Sequence, residues 1–270
     1  MTIDKRIGVI GAGKMGTALV SGMLKAGVVK KSKICAGDIS EQRCEYVSKM
    51  YGVTCFSDNS LVIANSDIVI IAVEPKHIKG VLEEISGELE NQTLVSIAAG
   101  VTIDFLKENL KKPVPIIRAM PNNPCMVGEG MIVLTSSPEA SERDLDTVKE
   151  IFTSIGRVLV LEEHLFDAVT GLSGSGPAYI YMVIEGLTEG GIKAGLPEDK
   201  AVTLAAQTVL GAGKMVLETD ISPDKLREMV TTPGGTTVEG LKELKRGKVK
   251  SFFCRAVRKA TQRSRELLKT

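Results

Sequence analysis

Short runs of consecutive apolar residues, bounded by turns and separated by stretches of helical spacing, dominate the chain as far as residue 163. The runs are Ile7 to Ile10, Lys33 to Ile39, Asp67 to Val73, Leu94 to Ile97, Ile116 to Met120, Gly130 to Thr135 and Val158 to Leu161. Several are apolar throughout instead of alternating, the pattern of parallel strands covered by helices on both faces. Residues 1–163 therefore read as a doubly wound α/β domain. After Glu163 the strand signal disappears. Pro177 to Ala194, Pro197 to Thr219, Pro223 to Val230, Thr237 to Arg246 and Val249 to Leu268 carry helical spacing or start signals such as proline in the first turn. Residues 164–270 are predicted to form a second, all-helical domain.

Those helices are rich in small and apolar residues, as in AVTLAAQTVLGAGKMVL from Ala201 to Leu217. A helix apolar nearly all round has to be buried on nearly every side. A domain of about a hundred residues does not surround such a helix alone, so a second subunit is expected to supply the missing contacts. The last helix carries Lys250, Arg255, Arg258, Lys259, Arg263 and Arg265, opposite a stripe formed by Val249, Phe252, Phe253, Ala256, Val257, Ala260, Leu267 and Leu268. Without aromatic residues interleaved to stack bases, the cations read as a solvated face, and no nucleic-acid partner is expected.

Composition narrows the class. The 270 residues carry a formal net charge of +1 and 25% charged side chains, which points to neither an acidic nor a basic partner. Five cysteines, odd in number and without a CxxC pair, suggest neither a disulfide framework nor a metal site. A reducing cytoplasm fits them best. The first strand begins without a preceding leader pattern, and no stretch is apolar enough to span a bilayer, so no membrane partner is expected. Only His77 and His164 could serve a histidine relay, and neither lies near another candidate group.

The chemistry begins at IGVIGAGKMG. Gly11 permits a tight turn out of the strand, Gly13 lets the backbone approach a pyrophosphate, and Gly16 lets the next helix pack closely. With a strand before it, a helix after it and a second strand beyond, the segment predicts a dinucleotide cradle. Asp38, at the end of that second strand, is placed to accept the adenosine ribose hydroxyls, or else to cap the helix beginning near Glu41. Its charge leans towards NADH, against which Arg43 and Ser40 stand as possible partners of a 2′-phosphate. Turns at Ala72 to Pro75 and Ala98 to Gly100 follow strands on the same rim of the sheet and would flank ribose and nicotinamide. In the helical part, LSGSGPAY from Leu172 and VTTPGGTTV from Val230 are glycine-rich. The second presents free N–H groups and hydroxyls suited to a carboxylate.

These motifs, in this order, resemble the pyrroline-5-carboxylate reductase family: IGVIGAGKMGTAL, AVEP, SIAAGV, GLSGSGPAY and LREMVTTPGGTTVEGLKEL. The resemblance covers essentially the whole chain. It implies a Rossmann-like sheet followed by an all-α dimerisation domain, and reduction of 1-pyrroline-5-carboxylate to L-proline by hydride from C4 of NADH or NADPH to the imine carbon C5. By resemblance, Thr237 bonds the substrate nitrogen as the catalytic residue, Thr232, Gly234, Gly235 and Thr236 hold the carboxylate, and Asp220 lies near the ligand. Cofactor contacts fall on Gly11, Ala12, Gly13, Lys14, Met15, Gly16, Asp38, Asn59, Ala72, Val73, Glu74, Pro75, Ala98, Ala99 and Gly100. Family members often form decamers assembled from dimers. Glu74 and Asp38 depart from the family's usual residues and leave the choice of NADPH open.

Two other readings compete with this one. A β-hydroxyacid dehydrogenase would place a lysine where this chain has Ile180, and a non-catalytic dinucleotide sensor would have no need of the TTPGGTT turn.

Overall fold

The computed structural model describes residues 3–266. The elements are β1 (Ile7–Ile10), α1 (Lys14–Ala26), β2 (Ile34–Gly37), α2 (Glu41–Tyr51), β3 (Thr54–Phe56), α3 (Asn59–Ala64), β4 (Ile68–Ile71), α4 (Ile78–Ile85), β5 (Thr93–Ser96), α5 (Ile103–Glu108), β6 (Ile116–Met120), β7 (Gly130–Ser136), α6 (Glu142–Thr153), β8 (Gly156–Val160), α7 (Phe166–Val169), α8 (Gly176–Lys193), α9 (Glu198–Glu218), α10 (Pro223–Met229), α11 (Thr236–Arg246) and α12 (Val249–Glu266). Leu267 and Leu268, expected at the end of the last helix, lie outside the described residues.

The eight strands form one sheet in the order β3-β2-β1-β4-β5-β6-β7-β8. β1 stands between β2 and β4, both parallel to it, so the strand order reverses direction beside β1 and leaves a crevice at the carboxyl ends of β1 and β4. Two features depart from the sequence reading. β3 was not foreseen: it is a three-residue edge strand paired only with β2 and partly exposed, too short to show a run. β7 runs antiparallel to β6, which it follows after a short 3₁₀ turn at Asn123–Val127, and β8 is parallel to β7. A connection so short leaves no room for the crossover that a parallel partner requires.

β1, β2, β4, β5 and β6 are buried along their whole length. One apolar layer collects Leu19, Met23, Ile70, Ile117, Ile151 and Phe152, and the other Ile63, Ile71, Ile78, Leu82, Leu94 and Leu106. α1 ends at Gly27 and α2 at Gly52, each at φ +64°, the left-handed cap that frees the chain to start the next segment. A capping box at Ser141 and Asp144 starts α6.

The chain divides into two compact units. The first runs through Gly174 and takes back the chain from Ala260; the second is Ser175–Lys259. The boundary set at 163/164 from the loss of strand signal differs from this division. The segment after β8 is helical yet packs into the first unit, where Phe166 is buried with Met120 and Val133. A five-residue π-helical segment, Thr170–Gly174, closes the first unit. In the second unit, Ala201 and Ala205 are the buried residues of α8 to α11 among those described.

Candidate functional site

The glycine-rich turn is built as its spacing requires. Gly11 adopts φ +97°, and a Cβ there would lie 2.8 Å from the Ala72 backbone. A Cβ on Gly16 would fall on the Gly11 carbonyl oxygen, so α1 and β1 touch backbone to backbone. A Cβ on Gly13 would meet nothing within 4 Å, so this N-cap residue of α1 faces open space. The first N–H groups of α1 are thereby free to receive an anion.

Around this turn lies a cleft of about 430 Å³. Its walls bring together Gly11, Gly13, Asp38, Asn59, Ala72, Val73 and Glu74 from the sequence-nominated set. The remaining nominated positions of this unit do other work or stand apart. Ala12 is buried and its N–H donates to Asp38 Oδ2 at 2.9 Å, while Gly16 sits behind the turn. Lys14, Met15 and Pro75 do not line the cleft. Ala98 is buried, and Ala99 packs against Met120, Val133 and Phe166. Gly100, at φ +80°, lines a different cleft of about 470 Å³ together with Thr102, Arg118 and Glu163. The turn after β5 is shaped by this glycine, with Val101 N–H donating to Ala98 O.

Asp38 is not the helix cap that it could have been. Ser40 caps α2, its hydroxyl accepting from Arg43 N–H. The Asp38 carboxylate instead ties two loops, taking Ala12 N–H on Oδ2 and Ser40 N–H at 3.0 Å on Oδ1. Arg43 donates from Nε to Ala12 O and stacks over the Tyr46 ring at 4.8 Å. Glu74, exposed at the rim, pairs with Lys76 at 2.7 Å, which holds its carboxyl below the ordinary range.

Three contributors escaped the sequence reading. Glu84 on α4 lines the cleft and accepts from Asn59 Nδ2 at 2.8 Å. Arg118, 4% exposed, pairs with Glu163 at 2.9 Å and lies over the Phe166 ring at 4.6 Å. Glu163 Oε1 also accepts Ile103 N–H, which anchors the start of α5 behind the Ala98 to Gly100 turn. Both ion pair and amide contact join residues dozens of positions apart and belong to no local motif.

In the second unit, Gly235 N–H donates to Thr232 O at 2.9 Å, with Pro233 and Gly234 between them and Gly234 at φ +74°. This is the pattern of a type II turn, proline first and glycine second. Gly235 is the N-cap of α11, so the turn delivers Thr236 and Thr237 into its first turn. Their hydroxyls have no hydrogen-bond partner among the described residues. Thr237 is half-buried and Thr236 exposed. Asp220 is exposed just beyond α9. LSGSGPAY forms no loop; it runs through the π-helical segment into α8, with Pro177 in its first turn.

Comparison with known proteins places both halves. Residues 163–267 match the family described as pyrroline-5-carboxylate reductase dimerisation, and residues 6–100 match NADP oxidoreductase coenzyme F420-dependent. The pyrroline-5-carboxylate reductase of Methanosarcina acetivorans is 42% identical over 265 residues, covering 98% of each chain. Among solved structures, a pyrroline-5-carboxylate reductase from Coxiella burnetii aligns with a TM-score of 0.92 at 35% identity, over 98% of this chain and 99% of that one. The Plasmodium falciparum pyrroline carboxylate reductase with NADP bound aligns at 0.89 and 32% identity, over 98% of each.

Proposed function

The chain belongs to the pyrroline-5-carboxylate reductase family, and on that premise we propose that it reduces 1-pyrroline-5-carboxylate to L-proline with NADH or NADPH. The observation that carries the reading is the cradle at the β1–α1 turn, open at Gly13 and set where the strand order reverses. When bound there, the reduced nicotinamide supplies a hydride. The reaction consumes one hydride and one proton, forming a C–H bond at C5 and leaving the ring nitrogen as an amine.

The chain's own residues bind and orient. The N–H groups at the start of α1 take the pyrophosphate, Asp38 takes ribose hydroxyls, and Asn59 and Ala72 to Glu74 border the cleft. Ala12, Lys14, Met15, Gly16, Pro75 and Ala98 to Gly100 are assigned as further cofactor contacts by resemblance. In the helical unit, the turn from Thr232 to Thr236 holds the substrate carboxylate on backbone donors, and the Thr237 hydroxyl bonds the ring nitrogen. Asp220 is assigned to the substrate's surroundings by resemblance alone. A protonated imine is already electrophilic, so orientation matters more than a strong acid. Holding the reacting carbons together lowers the barrier by as much as about 7–11 kcal/mol, against about 1 kcal/mol for a neutral hydrogen bond.

We assign residues 1–163 to the dinucleotide and 164–270 to substrate and assembly. The protein is a homo-oligomer with a small-molecule substrate; a decamer assembled from dimers, and work in the cytoplasm without nucleic-acid or membrane partners, are proposed. Supporting this, Arg255 stacks on Phe252, Arg263 pairs with Glu266 and Arg265 pairs with Asp167, so these cations already have partners within the chain. Among the described residues, no helix is long and apolar enough to cross a membrane.

The test is cofactor absorbance, followed with purified protein and 1-pyrroline-5-carboxylate, NADH and NADPH in parallel. Oxidation dependent on the imine is expected with at least one of them. Silence with both overturns the reading.

A further inference from the structure

The nominated cofactor residues leave open which dinucleotide is taken, and the cleft carries chemistry that bears on it. Resting on the dinucleotide reading above, we propose that the adenosine end of the cleft selects NADH over NADPH, and that Glu84, acting with Asp38, is a determinant of that choice.

The walls of the cleft contain three carboxylates, Asp38, Glu74 and Glu84, together with His77, and neither lysine nor arginine. A ribose hydroxyl donates a hydrogen bond to a carboxylate. A 2′-phosphate carries only acceptor oxygens and negative charge, so the same carboxylates repel it. Position sharpens the contrast. Asp38 is held in place by Ala12 N–H and Ser40 N–H, so its charge does not swing away from the ligand.

Asn59 is the neutral side chain in this wall that could donate to a phosphate. It is 7% exposed, and its Nδ2 is taken by Glu84 Oε2 at 2.8 Å. Its Oδ1 faces Gly37, where a Cβ would stand 3.2 Å away. The amide is thereby fixed with its donor on a carboxylate and its acceptor towards the strand. Glu84 thus acts twice: it adds a negative charge, and it takes one of the two N–H donors of Asn59.

The nearest cations stand outside these walls. Arg43 donates Nε to Ala12 O and lays its face over Tyr46, and Lys76 pairs with Glu74.

The experiment titrates the purified full-length protein separately with NADH and NADPH, reading the fluorescence of the reduced nicotinamide without substrate. The wild type is expected to bind NADH at least about tenfold more tightly, the order of effect of a like charge facing a phosphate. In Glu84→Gln the ratio should shrink severalfold, with the NADPH constant improving more than the NADH constant. Asp38→Asn should move the ratio in the same direction. Equal binding, or tighter NADPH, in the wild type overturns the proposal. A parallel change of both constants in Glu84→Gln also overturns it, because that is the signature of a residue that only supports the fold. Selective loss of NADPH in Arg43→Ala would make Arg43 a phosphate ligand and defeat it as well. Failure of the wild type to bind either dinucleotide would instead sink the underlying cofactor reading, and is told apart by the absence of any signal.

Discussion

The two compact units are made from equally apolar sequence, but they use it differently. In the first, the side chains that spell out the strands and helices disappear into two layers around the sheet: Ile7, Leu19, Ile70, Leu82 and Phe152 have essentially no exposed surface. In the second, Leu187, Leu204, Leu210 and Leu217 are all about half exposed within the single chain. Exposed apolar side chains recur along α8 and α9, whereas those described in the first unit, such as Ile39, Met50 and Val127, are spread over separate segments. One unit satisfies its hydrophobic pattern alone, and the other keeps its pattern for further copies of the chain.

Substitutions aimed at each side sharpen this contrast. Leu210→Glu, placing a charge on the unburied stripe of α9, should give the largest effect. Light scattering after size exclusion should show dissociation, and turnover should fall by about a hundredfold or more, since central apolar anchors dominate interfaces. An assembled, active variant would break the comparison. Next, Gly16→Leu should destabilise the first unit by several kcal/mol, about 3 or more, because its Cβ collides with Gly11 backbone. Gly213→Leu makes the complementary case: the chain itself leaves open space at that Cβ, so thermal unfolding of the subunit should hardly change while assembly weakens. Similar thermal losses in both glycine variants would contradict the distinction.

Glu163→Ala removes the partner of a buried guanidinium. Arg118 retains only its contact with Phe166, and denaturant unfolding should lose about 2–3 kcal/mol, somewhat below a fully buried pair because Glu163 is partly exposed. Thr237→Ala should slow imine reduction by about tenfold, or about 1.4 kcal/mol, without abolishing it. Complete loss of turnover in a folded variant would show that Thr237 does more than orient the substrate. The smallest effect belongs to Arg6 and Asp67, half-exposed partners at the base of β1 and β4. Hydrogen bonds from Arg6 hold the Asp67 carboxyl below its ordinary range. Its contribution is therefore complete above the unfolded carboxylate value and is lost as pH falls through the lower folded one. Asp67→Asn should flatten stability below about pH 4 by under about 1 kcal/mol, read from unfolding curves across pH.

The strands were legible because residues buried on both faces leave uninterrupted apolar runs, and the helices because proline and glycine mark their ends. β3 was not, since three residues at a sheet edge make no pattern. The reversed direction of β7 was hidden for a different reason: strand polarity follows from the length of a connection, not from the composition of the run. At the site, Gly11, Gly13 and Asp38 were named because each lies in or near a motif with a defined spacing, and Asn59 by family resemblance alone. Glu84 was invisible, although it touches Asn59, because the contact spans two helices, α3 and α4, that the sequence does not relate. Arg118 and Glu163 were missed likewise, as charged residues whose burial emerges only once β6 and the segment after β8 come together.

The last helix gives the molecule a timetable. Ser264, 3% exposed, donates its hydroxyl to Asp167 Oδ1 at 2.7 Å, and this contact lies inside the first unit. A ribosome delivers β1 long before this serine, with all of the second unit between them, so the last contact of the dinucleotide-binding unit waits for the whole second unit to be made. Closing so long a loop costs little extra free energy but delays the final docking step. Until then the half-made subunit exposes the surface around Asp167 together with the bare faces of α8 and α9, the kind of transient apolar surface that favours misassembly.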